Sequence, residues 1–468
     1  MMGTAGPLPP SSSNGGGGGG GDQEMKDATN GSSGDKKLDH KDASSPASAQ
    51  TSVVPCGLTN LGNTCYMNAT MQCLRSIDEL KSAVKAYNVA NAIDTSSALL
   101  AEAKSLFTKM DLASSSVLSA KGGGRGGGGG FDDDAFDAEE EGDDGMYEER
   151  SVAPSQFLTI LRMKFPQFAQ KGAGGMYMQQ DAEECYSQIL QAFREKLDNE
   201  SRDDQGKVIH ELFGIELETK LVCEESKEEV KEHQKVMTFK CNISKEVNHL
   251  HDGFRLSLCE DREKHSPQLN RMALYKGVSR ITKLPKYLSV QLVRFLYRRD
   301  TQQKAKILRR VGFPLQMLDV FEFCSDELKK KLEVRRDVWQ KKEDAKVEQL
   351  KQLKSSGNSN GKRTHSEATA AEAEGGDGGG PVPLDLDLDG EVAEAIGHTG
   401  FYDLHAIVTH KGRIADSGHY VGWVKTKDQW VEFDDDSVYP VLEEDIQKLD
   451  GGGDWHMAYL CIYKARLA

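Results

Sequence analysis

Apolar residues recur at helical spacing through the first half of this chain and at every second position through much of the rest. Met67, Met71 and Leu74 mark one side of a helix predicted over 65–76, behind a polar loop that holds Gly57, Asn60, Gly62 and Asn63. A second helical block runs from Ser76 to about Leu106. "APSQFLTILRMKF" sets Phe157, Leu158 and Leu161 in step behind Pro154, a residue suited to a first helical turn. "QQDAEECYSQILQAFREKL" (179–197) predicts another amphipathic helix, with Cys185, Ile189 and Phe193 on one face.

The period then drops to two. "LFGIELETKLVC" (212–223), "VMTFKCNIS" (236–244) and "FRLSL" (254–258) read as antiparallel strands, and "LPKYLSVQLVRFLY" (284–297) as a buried one. Residues 325–354 predict a long charged helix, a solvated arm that Ser325 can cap and that carries two acids in its first turn. Strands return at 401–410, 419–426, 430–441 and 457–465. Helices first and strands after predict an α+β fold, a helical lobe against an antiparallel sheet with a cleft between them.

Composition alters the domain count. Residues 1–51, 121–150 and 355–398 are rich in Gly, Ser, Asp and Glu and poor in large apolar side chains, so they are expected to be a disordered tail and two disordered inserts. That leaves 52–468 as one domain, with roughly 340 residues available for folding. The net charge is −15, with the acids gathered in the inserts, which argues against a nucleic-acid partner. No apolar run approaches the roughly 20 residues that span a bilayer. The start, "MMGTAGPLPP", lacks the charged-then-apolar pattern of a secretory signal. The expectation is a soluble protein of the cytoplasm, with nuclear residence also allowed, that binds no membrane. Its nine scattered cysteines include no CxxC pair, so free thiols are expected and no zinc site.

One cysteine stands apart. In "GLTNLGNTCYMN" Cys65 follows a Gly- and Asn-rich loop and opens a helix. A free thiol is only about a twentieth ionised at neutral pH, and a helix N-terminus or an adjacent imidazole raises that share. Asn60, five residues earlier, could offer a side-chain N–H to an oxyanion. The alternative is a plain turn with a cysteine filling the helix start. Of His405, His410, His419 and His456, only His419 sits in a loop opening into a strand, "DSGHYVGW". Folding 419–426 back on 430–436 brings it opposite Asp434–Asp436. Alternation puts Asp434 and Asp436 on one face and Asp435 on the other. Asp416, three residues before His419, either biases the imidazole by its charge or is a turn residue.

"GLTNLGNTCYMN", "QQDAEE" and "SGHYVGWV…WVEFDDD" resemble, in order, the Cys box, middle motif and His box of the ubiquitin-specific proteases. The resemblance implies a papain-like fold with helical thumb, palm and fingers. It implies Cys65 as nucleophile, His419 as general base and acid, Asp434 as the residue that orients it, and Asn60 in the oxyanion hole. Asp181, with Gln180, Tyr420 and Trp430, falls on the substrate side. The reaction implied is hydrolysis of the isopeptide bond at the C-terminal glycine of ubiquitin, with no cofactor and no metal. "HELFGIELETKLVC", "SPQLNRMALYKG" and "GGGDWHMAYLCIY" are similar to the proteasome-associated branch of that family. That branch implies ubiquitinated proteins and the proteasome regulatory particle as partners of a monomer, and mobile loops, here about 298–306 and 410–418, over the groove. It also carries an N-terminal ubiquitin-like domain, which residues 1–50 are too polar to form. A non-catalytic ubiquitin receptor on the same fold is the alternative, and a scaffold built on the charged helix a third reading.

Overall fold

The helix that begins at Cys65 is buried on every side, not on one. In the computed structural model the chain runs β1 (Gly57–Leu58), α1 (Cys65–Arg75), α2 (Asp78–Ala86), α3 (Thr95–Ser115), β2 (Ser151–Val152), α4 (Ser155–Lys164), α5 (Ala182–Leu197) and α6 (Val208–Phe213). The structure describes residues 55–88, 94–115, 151–172, 174–198, 207–298, 302–356, 397–414, 417–427 and 429–468. These belong to one unit, Val53–Ala468. The tail 1–51, the insert 121–150, Asp416 and all but the ends of 355–398 lie outside the described residues.

Every residue of α1 from Cys65 to Leu74 is buried, so its polar side chains need partners in the interior. Thr70 Oγ1 donates to the Tyr66 carbonyl at 2.7 Å, and Gln72 Nε2 to the Cys56 carbonyl at 2.8 Å. The block expected over 76–106 is two helices, α2 and α3. The backbone leaves helical geometry at Tyr87 (ψ 132°), and Asp94 restarts it by accepting from the Ser97 N–H at 2.9 Å.

The second half continues β3 (Ile215–Cys223), β4 (Glu229–Val236), β5 (Phe239–Asn242), α7 (Leu250–Ser257), β6 (Cys259–Ser266), β7 (Arg271–Lys283), β8 (Tyr287–Val293), β9 (Phe295–Arg298), β10 (Gln303–Lys306) and β11 (Leu318–Asp319). Then come α8 (Asp326–Ser356), β12 (His398–Lys411), β13 (His419–Lys425), β14 (Trp430–Asp434), β15 (Ser437–Val441), α9 (Glu443–Gln447) and β16 (Met457–Leu467). One sheet has the order β15-β14-β13-β12-β16-β8-β5, with β11 added on β12, and only the β5–β8 pairing is parallel. A separate antiparallel sheet has the order β4-β3-β7-β6.

Three expected strands are corrected. "VMTFKCNIS", expected to be antiparallel, forms β5 only over Phe239–Asn242 and lies parallel to β8. "FRLSL" lies mostly in α7, because Leu250, Phe254 and Leu258 repeat at four while Leu256, needed for a period of two, is exposed. The run 430–441 is a hairpin, since Asp435 takes a left-handed φ of 55° and reverses the chain. The charged helix forms as read, with Ser325 Oγ accepting from the Leu328 N–H at 3.3 Å.

The larger sheet separates two cores. Met67, Phe157, Phe193, Tyr420, Val424 and Phe433 pack between the helices and one face. Val421, Trp423 and Trp430 alternate onto the other face with Leu250, Phe254 and Leu288. Gly422 on β13 permits the close approach of α1, for a Cβ there would sit 3.2 Å from the Ala69 carbonyl oxygen. That contact holds the head of α1 at the end of the sheet.

Candidate active site

The loop before α1 is organised by one side chain. Asn60 Oδ1 accepts from the Gly62 N–H at 2.9 Å, the Thr64 N–H at 3.3 Å and the Thr64 hydroxyl at 3.2 Å. Gly62 (φ 92°) and Asn63 (φ 54°) supply the left-handed turn, and the helix opens at Cys65. The first N–H groups of a helix have no intrahelical acceptor, so the Cys65 sulfur stands at the positive end of the α1 dipole. Cys65 is 3% exposed.

His419 begins β13. It reaches the thiol because β13 packs along α1. Its Nε2 hydrogen-bonds Asp434 Oδ1, and the Cys65 thiol is the second group that acts on the ring. The bond to Asp434, then the Cys65 thiol, raise the imidazole from 6.5 to about 10 against the effect of burial. Burial alone would raise the Asp434 carboxyl, but the His419 bond and charge outweigh it and hold the carboxyl below its ordinary value. The expected hairpin provides this geometry, with Gly422 opposite Phe433 and Lys425 opposite Trp430.

Two contributors escape sequence reasoning. Asp435 was placed by alternation on the far face, yet its left-handed turn brings Oδ2 to 4.0 Å from His419 Nε2. Its carboxylate accepts from Asn60 Nδ2 and from Asn68 Nδ2, both at 2.8 Å. Burial raises this carboxyl and the two amides only partly offset that. Leu58 N–H also donates to the Asp435 carbonyl at 2.7 Å, so β1, the Asn60 loop and the β14–β15 turn form one unit. The second contributor is Gln179, whose Nε2 lies 3.5 Å from the Cys65 sulfur. The only signals are the Asn within α1 and the first Gln of "QQDAEE".

The other sequence candidates divide. Asp181 caps α5, accepting from the Glu183 and Glu184 N–H groups at 2.8 and 3.1 Å, and its second oxygen accepts from Tyr459 at 2.6 Å. Gln180, half-buried beside it, donates to the Met178 carbonyl at 3.2 Å. Tyr420 is buried between His410 and Tyr459. Trp430 is corrected. It shares a strand face with Asp434 but lies four residues along, roughly 13 Å at strand rise, and is 2% exposed in the second core. It packs in that core with Trp423 and Val421.

Comparisons with known proteins give the family. The profile of the family described as "Ubiquitin carboxyl-terminal hydrolase" matches residues 56–463. Ubiquitin carboxyl-terminal hydrolase 6 of Arabidopsis thaliana is 43% identical over 417 residues, 88% of this chain and 78% of that protein. A Schizosaccharomyces pombe protein also called ubiquitin carboxyl-terminal hydrolase 6 is 34% identical, over 100% of this chain and 85% of its own length. Ubiquitin carboxyl-terminal hydrolase 14 of Caenorhabditis elegans is 32% identical over 92% of this chain and 77% of its own. With a cysteine at a helix head, a histidine from a distant strand and a carboxylate behind it, the chain belongs to the ubiquitin carboxyl-terminal hydrolase family, thiol-dependent hydrolases of papain-like α+β fold.

Proposed function

We propose that Cys65, His419 and Asp434 carry the deubiquitinase reaction of this chain, cleaving the bond between the C-terminal glycine of ubiquitin and a lysine amine. The observation that carries the assignment is His419, whose Nε2 bonds the Asp434 carboxylate and whose titration the Cys65 thiol raises. With the imidazole protonated up to about 10, the pair at neutral pH is an imidazolium beside the sulfur. The thiolate attacks the glycine carbonyl carbon and forms the C–S bond. The oxyanion is met by N–H groups at the head of α1 and by the second hydrogen of Asn60 Nδ2, whose first is on Asp435. Collapse breaks the C–N bond, and the leaving amine takes the His419 proton. Water then gives a proton to His419 and attacks the thioester, releasing the ubiquitin carboxylate and the thiol. Gln179, donating to the sulfur, steadies its negative charge.

In this reading the helices α1–α6 form the thumb, the larger sheet the palm and the four-stranded sheet the fingers. Asp181 and Gln180, at the head of α5, are assigned to the C-terminal segment of ubiquitin. The likeness of 210–223, 266–277 and 451–463 to the proteasome-associated branch supports a monomer that trims ubiquitin at the proteasome regulatory particle, in the cytoplasm and the nucleus. The test is incubation with ubiquitin bearing a C-terminal electrophile. A covalent adduct in the wild type, absent in Cys65→Ala, is expected; ubiquitin binding without any adduct would instead mark a receptor.

A further inference from the structure

Lys306 ends β10, away from the sequence motifs, and its side chain crosses to the end of β12. Nζ donates to the Gly412 carbonyl at 2.7 Å and to the His410 carbonyl at 2.9 Å, and meets His410 Nδ1 at 2.7 Å. An ammonium has three hydrogens, and these acceptors use all three. A ring nitrogen that accepts carries no hydrogen, so His410 is neutral with its proton on Nε2. Burial, then the Lys306 charge, push the His410 imidazole down to about 3, so the ring stays neutral at working pH. Burial and the Arg294 charge push Lys306 itself down to about 7. A cation desolvated in this way is costly unless its acceptors are held in place.

The ring of His410 is the far end of this strap. It is 1% exposed, with the Phe295 ring 5.2 Å away and the Tyr420 ring 4.7 Å away. Its Nε2 has no partner, so the Lys306 bond is the ring's one polar hold among the described residues. Gly418 presses on the same ring. A Cβ there would lie 2.6 Å from His410 Cε1 and Nε2 and 2.4 Å from the Lys411 oxygen, at a φ of 150°. In the β12–β13 register His410 faces Tyr420 and Lys411 faces His419. The chain therefore enters His419 across a surface made of the His410 ring and the Lys411 backbone, and Lys306 holds both ends of that surface.

We propose that Lys306 is a positioning residue for His419, strapping the β12 terminus through His410 and Gly412 so that the imidazole meets the Cys65 sulfur. This rests on His419 acting as the base. Without the strap the His410 ring is free to turn and give its orphaned Nε2–H a partner, Gly418 loses its support, and the imidazole is delivered less often in line with the thiol.

The test is turnover of a ubiquitin–fluorophore conjugate by the full chain. Lys306→Met keeps the length of the stem and removes the donors. It is expected to lower kcat about tenfold or more and to change KM by less than about twofold. His410→Gln keeps an acceptor for Lys306 and retains most of the turnover, whereas His410→Leu loses it. Lys306→Met combined with His410→Leu loses little more than either alone, because both cut the same strap. Wild-type kcat in Lys306→Met, a loss confined to KM, or additive losses in the double variant each overturn the proposal. If Lys306→Met does not fold, Lys306→Gln, with part of the donor set, is expected at intermediate kcat, and wild-type kcat there overturns it. His419→Ala separates the two ideas: turnover surviving that change defeats the assignment of the base, whatever Lys306 does.

Discussion

The catalytic seam and the four-stranded sheet are both rich in carboxylates, and they treat them in opposite ways. On the sheet, Glu232 takes Arg262 and Lys264, each at 2.7 Å, and Glu218 takes Lys231 at 3.1 Å, all with side chains open to water. Bonds from Lys264 and then Arg262 hold the Glu232 carboxyl below its ordinary value. In the seam, Asp435 is 9% exposed, and its hydrogen-bond partners are the neutral amides of Asn60 and Asn68. Burial, not a cation, dominates its titration and raises it. An exposed pair exchanges water for an opposite charge and back at little net gain. A buried acid tied to amides cannot be removed without stranding the donors that served it. The sheet thus tolerates substitution of its acids, while the seam turns each of its acids into a geometric constraint on Cys65 and His419.

The comparison breaks most clearly at Asp434. Asp434→Asn should lower kcat by about two orders of magnitude or more, because the imidazole loses the carboxylate that fixes its tautomer and stabilises its charge. The same change removes the largest cause of the raised His419 value, about 10. The alkaline limb of the pH–rate profile should therefore move to lower pH. The sign for stability follows. His419 is raised on folding, so its contribution is full below its unfolded value of about 6.5 and is lost as pH rises through about 10. The gap in melting temperature between wild type and Asp434→Asn should be widest near pH 6 and close toward pH 10; a gap that widens with pH would refute the ion pair.

Next in size is Asn68→Ala. It leaves Asp435 Oδ1 without its 2.8 Å donor in the interior and should destabilise the fold by about 2 kcal/mol. A lower urea midpoint at unchanged slope would show this. Turnover should fall as well, since the same carboxylate holds Asn60 Nδ2. Full stability in that variant would mean that the seam, like the sheet, treats its acids as replaceable.

What the sequence shows of these regions follows the same division. Cys65 and His419 are legible because their surroundings, Gly and Asn before a helix and a Gly-bearing loop before a strand, serve no packing purpose. Drawing the hairpin narrows the acid to Asp434–Asp436, and the family resemblance selects Asp434 among them. Asp435 is not, because a single residue with a left-handed φ cancels the alternation that assigns faces. Trp430 misleads for a different reason: alternation gives its face correctly but says nothing of depth, and the second core lies beneath it. In the four-stranded sheet, β6 reads "CEDREKHS" with nearly every side chain reaching water, so no apolar period exists to announce a strand. It forms because β7 supplies a full antiparallel register from Cys259–Val278 to Ser266–Arg271. Pairing of this kind is tertiary information, invisible in the strand's own residues.

The smallest effect should come from that sheet. Glu232 accepts from Arg262 and from Lys264, both cations keep access to water, and Arg262 also bonds Glu260 at 2.8 Å. Glu232→Gln keeps the side-chain length and one acceptor oxygen, and removes only a charge that solvent already screens. The denaturation midpoint should not move measurably, any residual change should vanish on adding salt, and kcat should equal that of the wild type. A loss of stability as large as that of Asn68→Ala would show that the exposed pairs act as a coupled network, and the contrast between the two regions would then lie in cooperativity and not in burial.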